Sequence, residues 1–125
     1  LPLEGEGASA SAVGSILRHV VADTEETTLQ GGRAPVKPSI LCRNLLREGD
    51  VGRALDLYAA LCAETAFAPD RRRTVQVMFG LMNETQRSQL DGQFEELLSD
   101  RPELREAFEQ RVSILKERLS QLKSS

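Results

Sequence analysis

Hydrophobic side chains recur along this chain with the spacing of α-helices. In residues 9–22 they stand at i, i+3, i+4, i+7 and i+8, which places them on one face of a helix. Ser9 or Ser11 is available as the N-cap, while Arg18 and His19 lie on the opposite, polar face. The apolar positions of this helix are Val13, Ile16, Leu17, Val20 and Val21.

Two more helices are predicted on either side of Gly49. The first follows Pro38, with Ser39 as its N-cap candidate, and ends at Gly49, which adopts the left-handed conformation without steric cost. Asp50 caps the second, which ends near Pro69, so the two helices are predicted to form a hairpin with a very short connection. The apolar positions are Ile40, Leu41, Leu45 and Leu46 in the first helix and Val51, Ala54, Leu55, Tyr58, Leu61 and Cys62 in the second.

Three further helices complete the pattern. Asp70 is a cap candidate for the fourth, and Asn83 followed by Gln86 fits a capping box at the start of the fifth. Pro102 signals the start of the last helix, because a residue in the first turn needs no N–H partner. The apolar positions are Val75, Met78, Phe79 and Met82 in the fourth helix and Leu90, Phe94, Leu97 and Leu98 in the fifth.

No segment shows the period of two that is typical of a strand. The sequence therefore predicts an all-α fold of five or six antiparallel helices, arranged as a repeat-like array of helical hairpins or as a bundle. We interpret residues 1–8 as a flexible leader, 9–22 as an N-terminal helix, 23–38 as a linker and 39–125 as the helical domain. The linker is long enough for the first helix to dock far from its sequence neighbours, on its own chain or on a second copy.

Composition narrows the class of protein. A length of 125 residues suits one domain, and no apolar run reaches the roughly 20 residues needed to cross a membrane. A net charge of −3 gives no electrostatic reason to expect binding to nucleic acid or to an anionic membrane. Because the chain begins with Leu1 rather than Met, we expect it to be a piece of a longer protein.

Residues able to carry out chemistry are few. Cys42 and Cys62 are predicted to be buried thiols in a reducing compartment, the cytoplasm or nucleus, rather than a disulfide or a redox or metal site. His19 is the only histidine, and it stands on a polar helix face with no candidate nucleophile beside it. The sequence predicts no enzyme activity, no cofactor and no metal site.

Two segments are candidates for partner binding. Arg71, Arg72 and Arg73 stand at a predicted helix N-terminus, where positive charge opposes the helix dipole. They are interpreted either as a partner contact or as a solvated face or an intramolecular salt-bridge cluster. In the last helix, apolar residues follow a spacing of four and three that is typical of short coiled coils. Of these, Leu115, Leu119 and Leu122 pair with another chain in one interpretation and cap the helical array in the other.

Residues 39–69 resemble one hairpin of the tetratricopeptide or pentatricopeptide type. The resemblance is carried by Leu41, Leu45, Gly49, Ala54, Leu57, Tyr58 and Leu61. Pro38 stands where tetratricopeptide units place a large aromatic residue, and Cys42 where they place glycine; Pro69 comes later than their pattern expects. One repeat further along the chain the pattern fades. The resemblance implies an all-α stack that presents a surface to a partner.

These observations together predict a non-enzymatic interaction domain, an adaptor or scaffold. Its expected partner is another protein or a helical peptide, bound through a helix-lined groove or the terminal helix, and self-association into a homo-oligomer is an open possibility. The alternative is a pentatricopeptide-like module that binds RNA. The acidic net charge argues against nucleic acid, and the lack of a long apolar run argues against a membrane.

Overall fold

The computed structural model describes residues 16–22 and 37–124, and every regular element within these ranges is helical. Residues 16–22 are the described part of α1. The other elements are α2 (Pro38–Glu48), α3 (Val51–Phe67), a 3-10 turn (Pro69–Arg71), α4 (Arg72–Phe79), α5 (Glu84–Asp100) and α6 (Pro102–Ser124). The predicted all-α fold is thus confirmed for this part of the chain. The predicted leader, the cap candidates Ser9 and Ser11, and Val13 lie outside the described residues, as does nearly all of the predicted linker.

Helix α3 is the centre of the fold. Its most extensive contacts are with α6 and α2, followed by α4. Side chains on nearly all sides of α3 are buried, and because many of them are alanines, neighbouring helices can approach its backbone closely. The fully buried alanines of this helix are Ala54, Ala59, Ala60 and Ala63.

The connection between α2 and α3 follows the predicted chemistry. Gly49 has a φ of 88°, and the Asp50 carboxylate accepts a hydrogen bond from the Arg53 N–H at 3.3 Å. The predicted N-cap of α2 is wrong, because the helix begins at Pro38 and Ser39 lies buried within its first turn. Proline at the first position needs no N–H partner, and its fixed φ suits the helix.

The predicted boundaries of the fourth helix are also wrong. Asp70 lies inside the 3-10 turn rather than at an N-cap, and α4 starts after it without a side-chain cap. Gly80, with a φ of 100°, ends the helix, and its N–H and that of Leu81 bond to carbonyl oxygens of the last turn. Met82 therefore does not extend the buried stripe of α4: it lies in the following loop, with 61% of its surface exposed.

The capping box that begins α5 is confirmed. Asn83 Oδ1 accepts the Gln86 N–H at 2.9 Å, and Gln86 Oε1 accepts the Asn83 N–H at 3.1 Å. The same Gln86 oxygen accepts the Met82 N–H at 2.6 Å, so this one side chain also fixes the end of the α4–α5 loop.

One phenylalanine from each of four helices reaches the core. Phe79 of α4 and Phe94 of α5 are fully buried, while Phe67 of α3 and Phe108 of α6 are partly buried and pack against the same cluster. This placement on four different helices agrees with the sequence prediction. At the other end of the described chain, α1 buries Ile16, Leu17 and Val20 in the core.

Candidate functional site

A surface groove lies where the N-termini of α4 and α5 meet the 3-10 turn. We call it the α4–α5 groove. Its volume is about 690 Å³. It is lined by Pro69, Asp70, Arg72, Arg73, Gln76, Met82, Asn83, Glu84 and Thr85. Two of the three arginines predicted to bind a partner thus belong to its wall, and the third, Arg71, lies between two wall residues in the chain.

The arginines of this groove differ in their partners. Arg72 Nη2 lies 3.0 Å from Glu84 Oε2, and both side chains are substantially exposed. The exposed side chains of Arg71 and Arg73 form no ion pair or hydrogen bond with a described residue. Their charges also stand at the start of α4, where the helix dipole offers them no stabilisation. The groove wall therefore carries one positive charge, that of Arg73, that the described part of the chain does not neutralise by direct contact, and Arg71 adds a second beside the wall.

A glutamate from the opposite wall enters this positive region. Glu84 is the first residue of α5, and its Oε1 accepts a hydrogen bond from Gln76 Nε2 at 3.3 Å while its Oε2 pairs with Arg72. Gln76 is only 4% exposed, so its amide is held in place by the core beneath the groove. The arrangement presents a guanidinium and an amide N–H to one carboxylate.

Met82 gives the groove an apolar contact point. Its backbone is fixed by the hydrogen bond to Gln86, and its unbranched side chain is well suited to irregular apolar surfaces. Asp70 also lies on the wall, which thus combines two arginines with two acids and the exposed side chain of Met82, and Arg71 adds a third arginine next to it in the chain. The sequence pattern indicated the arginines. Gln76 and Glu84 were missed because their pairing across the groove depends on the α4–α5 loop, and Met82 because Gly80 ends α4 earlier than predicted.

The other predicted partner contacts lie on α6, and two of them are in the core. Leu115 and Leu119 are fully buried within this chain, and only Leu122, at 46%, is substantially exposed. Leu115 and Leu119 are therefore not accessible on the surface of this structure. A partner could contact them only if α6 separated from α3. An apolar spacing of four and three suits packing within one chain as well as between chains, and the most extensive contacts of α6 are with α3.

A second polar cluster joins α3 to α5. Tyr58 Oη donates to Asp91 Oδ1 at 2.6 Å, and the same oxygen accepts from Arg87 Nε at 2.9 Å. Arg87 also reaches Thr65 Oγ1 at 3.3 Å and Cys62 Sγ at 3.9 Å. Burial is the main cause that raises the pKa of Tyr58 and of Cys62, so both groups stay protonated near neutral pH. The cluster links α3 to α5 through hydrogen bonds, and no sequence pattern had indicated it.

The remaining reactive residues are His19 and Cys42. His19 is exposed on α1, and both cysteines are free. Burial raises the pKa of the Cys42 thiol to about 12, and its Sγ donates to the carbonyl of Ala54 at 3.4 Å. In residues 16–22 and 37–124, no group of three or more His, Cys, Asp or Glu side chains is placed to hold a metal ion. Of the helices described, none has both the length and the apolar character needed to span a bilayer.

Comparison with known proteins gave no match to the chain among family models, curated proteins or solved structures. The resemblance of residues 39–69 to a tetratricopeptide-type hairpin therefore stays a prediction. The α4–α5 groove is the candidate site on its geometry alone.

Proposed function

We propose that this chain is a non-enzymatic interaction domain whose α4–α5 groove binds an acidic segment of a partner protein. The observation that carries the proposal is that Arg73, in the groove wall, and Arg71, next to the wall residues Asp70 and Arg72 in the chain, are exposed and have no ionic partner among the described residues. Carboxylate groups of a partner would supply the missing counter-charge, and Arg clusters recognise acidic motifs in this way.

Met82 adds a second requirement on the ligand. An exposed methionine beside unpaired arginines favours a segment in which acidic residues flank an apolar one, because the apolar side chain buries surface while the acids meet the guanidinium groups. The groove thus fits a short segment of mixed acidic and apolar character.

RNA is the competing ligand. Single-stranded RNA binds through aromatic side chains on which bases stack, together with a continuous basic track. The residues that line the α4–α5 groove include no aromatic side chain, and Asp70 and Glu84 interrupt the basic track. These features favour a protein ligand over RNA.

Fluorescence anisotropy with two labelled probes tests the proposal at low salt. The first probe is a short peptide in which glutamates flank one leucine, and the second is a single-stranded oligouridine. We expect the peptide to bind the full chain and the double variant Arg71→Glu, Arg73→Glu to lose about tenfold in affinity, since each reversal replaces an attraction by a repulsion.

The matched control is Lys116→Glu, Arg118→Glu on the exposed surface of α6, which changes the net charge equally and leaves the groove intact. This control should bind the peptide nearly as well as the unmodified chain. An equal loss of peptide affinity in the two double variants would mean that net charge alone causes the effect, and it would refute peptide binding in the groove. Binding of the oligouridine in preference to the peptide would favour the RNA alternative.

A further inference from the structure

The α4–α5 groove already holds one carboxylate, that of Glu84. Its two oxygens are shared between Arg72 Nη2, at 3.0 Å, and Gln76 Nε2, at 3.3 Å. The two donors come from α4 and the acceptor from α5, so the contact crosses the groove rather than following one helix.

The donor Gln76 and the acceptor Glu84 differ in how firmly they are fixed. Gln76 is buried, and its amide N–H would be left without its acceptor if the carboxylate simply withdrew, at a cost in free energy. Glu84, by contrast, has a side chain that is 67% exposed, and an exposed ion pair of this kind is weak because water competes for both charges. The Gln76 donor is therefore built into the fold, while the exposed carboxylate is readily exchanged.

We infer that Arg72 and Gln76 form a carboxylate-binding subsite of the groove, which Glu84 fills in the free protein and an aspartate or glutamate of the partner fills in the complex. This inference rests on the proposed function. In this inference Glu84 is an internal competitor. Its carboxylate accepts the Gln76 N–H when no partner is bound, and it must leave the subsite when a partner binds. Once displaced, Glu84 remains in the first turn of α5, where the helix dipole still stabilises its charge.

Replacing Glu84 by glutamine tests the competition directly. The amide keeps the size of the side chain but has no charge to hold Arg72, so the partner's carboxylate meets a weaker competitor and no repulsion. With the same labelled peptide, Glu84→Gln should bind about three- to fivefold more tightly than the unmodified chain, the change expected for removing one exposed ion pair.

The matched control is Glu103→Gln. Glu103 is also an exposed glutamate in the first turn of a helix, α6, and its replacement changes the net charge by the same amount away from the groove. It should alter the peptide affinity by less than about twofold, because Glu103 is not part of the groove and its exposed charge acts on the peptide only through water of high dielectric constant. An equal gain in both variants would overturn the competition.

A nuclear magnetic resonance titration gives a readout that does not depend on affinity. Peptide addition should shift the side-chain amide signals of Gln76 in both the unmodified chain and Glu84→Gln, since in each case the Gln76 amide exchanges the side-chain oxygen of position 84 for a carboxylate of the peptide. If these signals stay in place at saturation, the subsite is refuted.

The outcomes separate the two proposals. If the unmodified chain binds the peptide, the Arg71→Glu, Arg73→Glu variant loses it and Glu84→Gln binds no better, the competition by Glu84 fails while the proposed function stands. If neither the unmodified chain nor Glu84→Gln binds the peptide, the proposed function itself fails, and the subsite with it.

Discussion

The backbone N–H of Leu17 donates a 2.8 Å hydrogen bond to Oε1 of Glu64, and this contact joins α1 to α3 across 47 positions of sequence. Glu64 is only 1% exposed, and burial raises its pKa to about 7, although the Leu17 N–H and the charge of Arg18 act in the opposite direction. Its second carboxylate oxygen accepts no hydrogen bond from a described residue. Ionisation of the Glu64 carboxyl at this buried position therefore lowers the stability of the fold.

The stability of the protein should therefore depend on the protonation of Glu64. Because the pKa in the folded state lies above the ordinary value of 4.5, the folded state binds the proton more tightly than the unfolded state. The stability that this provides is fully present below pH 4.5 and is lost as the pH rises through 7. Between pH 5 and pH 8 this one group should lower the free energy of unfolding by about 2 to 3 kcal/mol. Urea denaturation at both pH values measures the change.

Glu64→Gln isolates this contribution from the other carboxyl groups. The glutamine oxygen still accepts the Leu17 N–H, and no charge has to be buried, so the variant should be more stable than the unmodified chain at pH 8 and should lose the pH dependence assigned to Glu64. An unchanged slope between pH 5 and pH 8 in Glu64→Gln would show that other groups cause it.

Tyr58 links α3 to α5 and α6 through apolar contacts of its ring and a hydrogen bond of its hydroxyl. Its ring stacks on Phe94 with centroids 4.2 Å apart and on Phe108 at 5.5 Å, while its hydroxyl donates to Asp91. Tyr58→Phe removes only the hydrogen bond and should cost about 1 kcal/mol of unfolding free energy. Tyr58→Leu also removes the stacking and leaves a cavity, so it should cost about 3 kcal/mol. Equal losses in the two variants would place all of the stabilisation in the hydroxyl.

Two glycines with positive φ allow a comparison of backbone strain with steric fit. Gly49 has open space where a Cβ would stand, so Gly49→Ala should cost about 1 to 2 kcal/mol, the penalty of the left-handed conformation. At Gly80 a Cβ would lie 2.8 Å from Ser39 Oγ and 3.1 Å from Lys37 Cβ. Gly80→Ala should therefore be the more damaging of the two by thermal denaturation. The opposite order would mean that α2 yields easily at Lys37 and Ser39.

Local signals predicted the helix ends well where one residue decides the conformation. Gly49, Asp50 and the Asn83–Gln86 pair each act within a few residues, so their roles follow from sequence alone. Gly80 was just as visible, but the apolar spacing that continues to Met82 favoured a longer helix. The spacing gave the wrong result because a single left-handed glycine stops a helix whatever follows it.

Contacts between distant segments could not be predicted in this way. The sequence around Glu64 is apolar and gives no sign that the N–H group of Leu17 lies against it. The arginines of the groove were visible as a run, but their position beside Gln76 and Glu84 depends on how the short α4–α5 loop turns. Pairing across a groove is set by the tertiary arrangement, which periodicity does not encode.

The leucines of α6 test whether this helix packs within its own chain or on another. Leu119 is fully buried and Leu122 largely exposed, so Leu119→Ala should lower the free energy of unfolding by about 2 to 5 kcal/mol and Leu122→Ala by less than about 1 kcal/mol.

Since Leu119→Glu would unfold the chain, self-association is tested with Leu122→Glu and light scattering. A folded variant whose mass is smaller than that of the unmodified chain would place an interface at the end of α6. A monomer in both cases would leave Leu115 and Leu119 with a purely internal role, because packing against α3 already satisfies the apolar spacing that suggested a second chain.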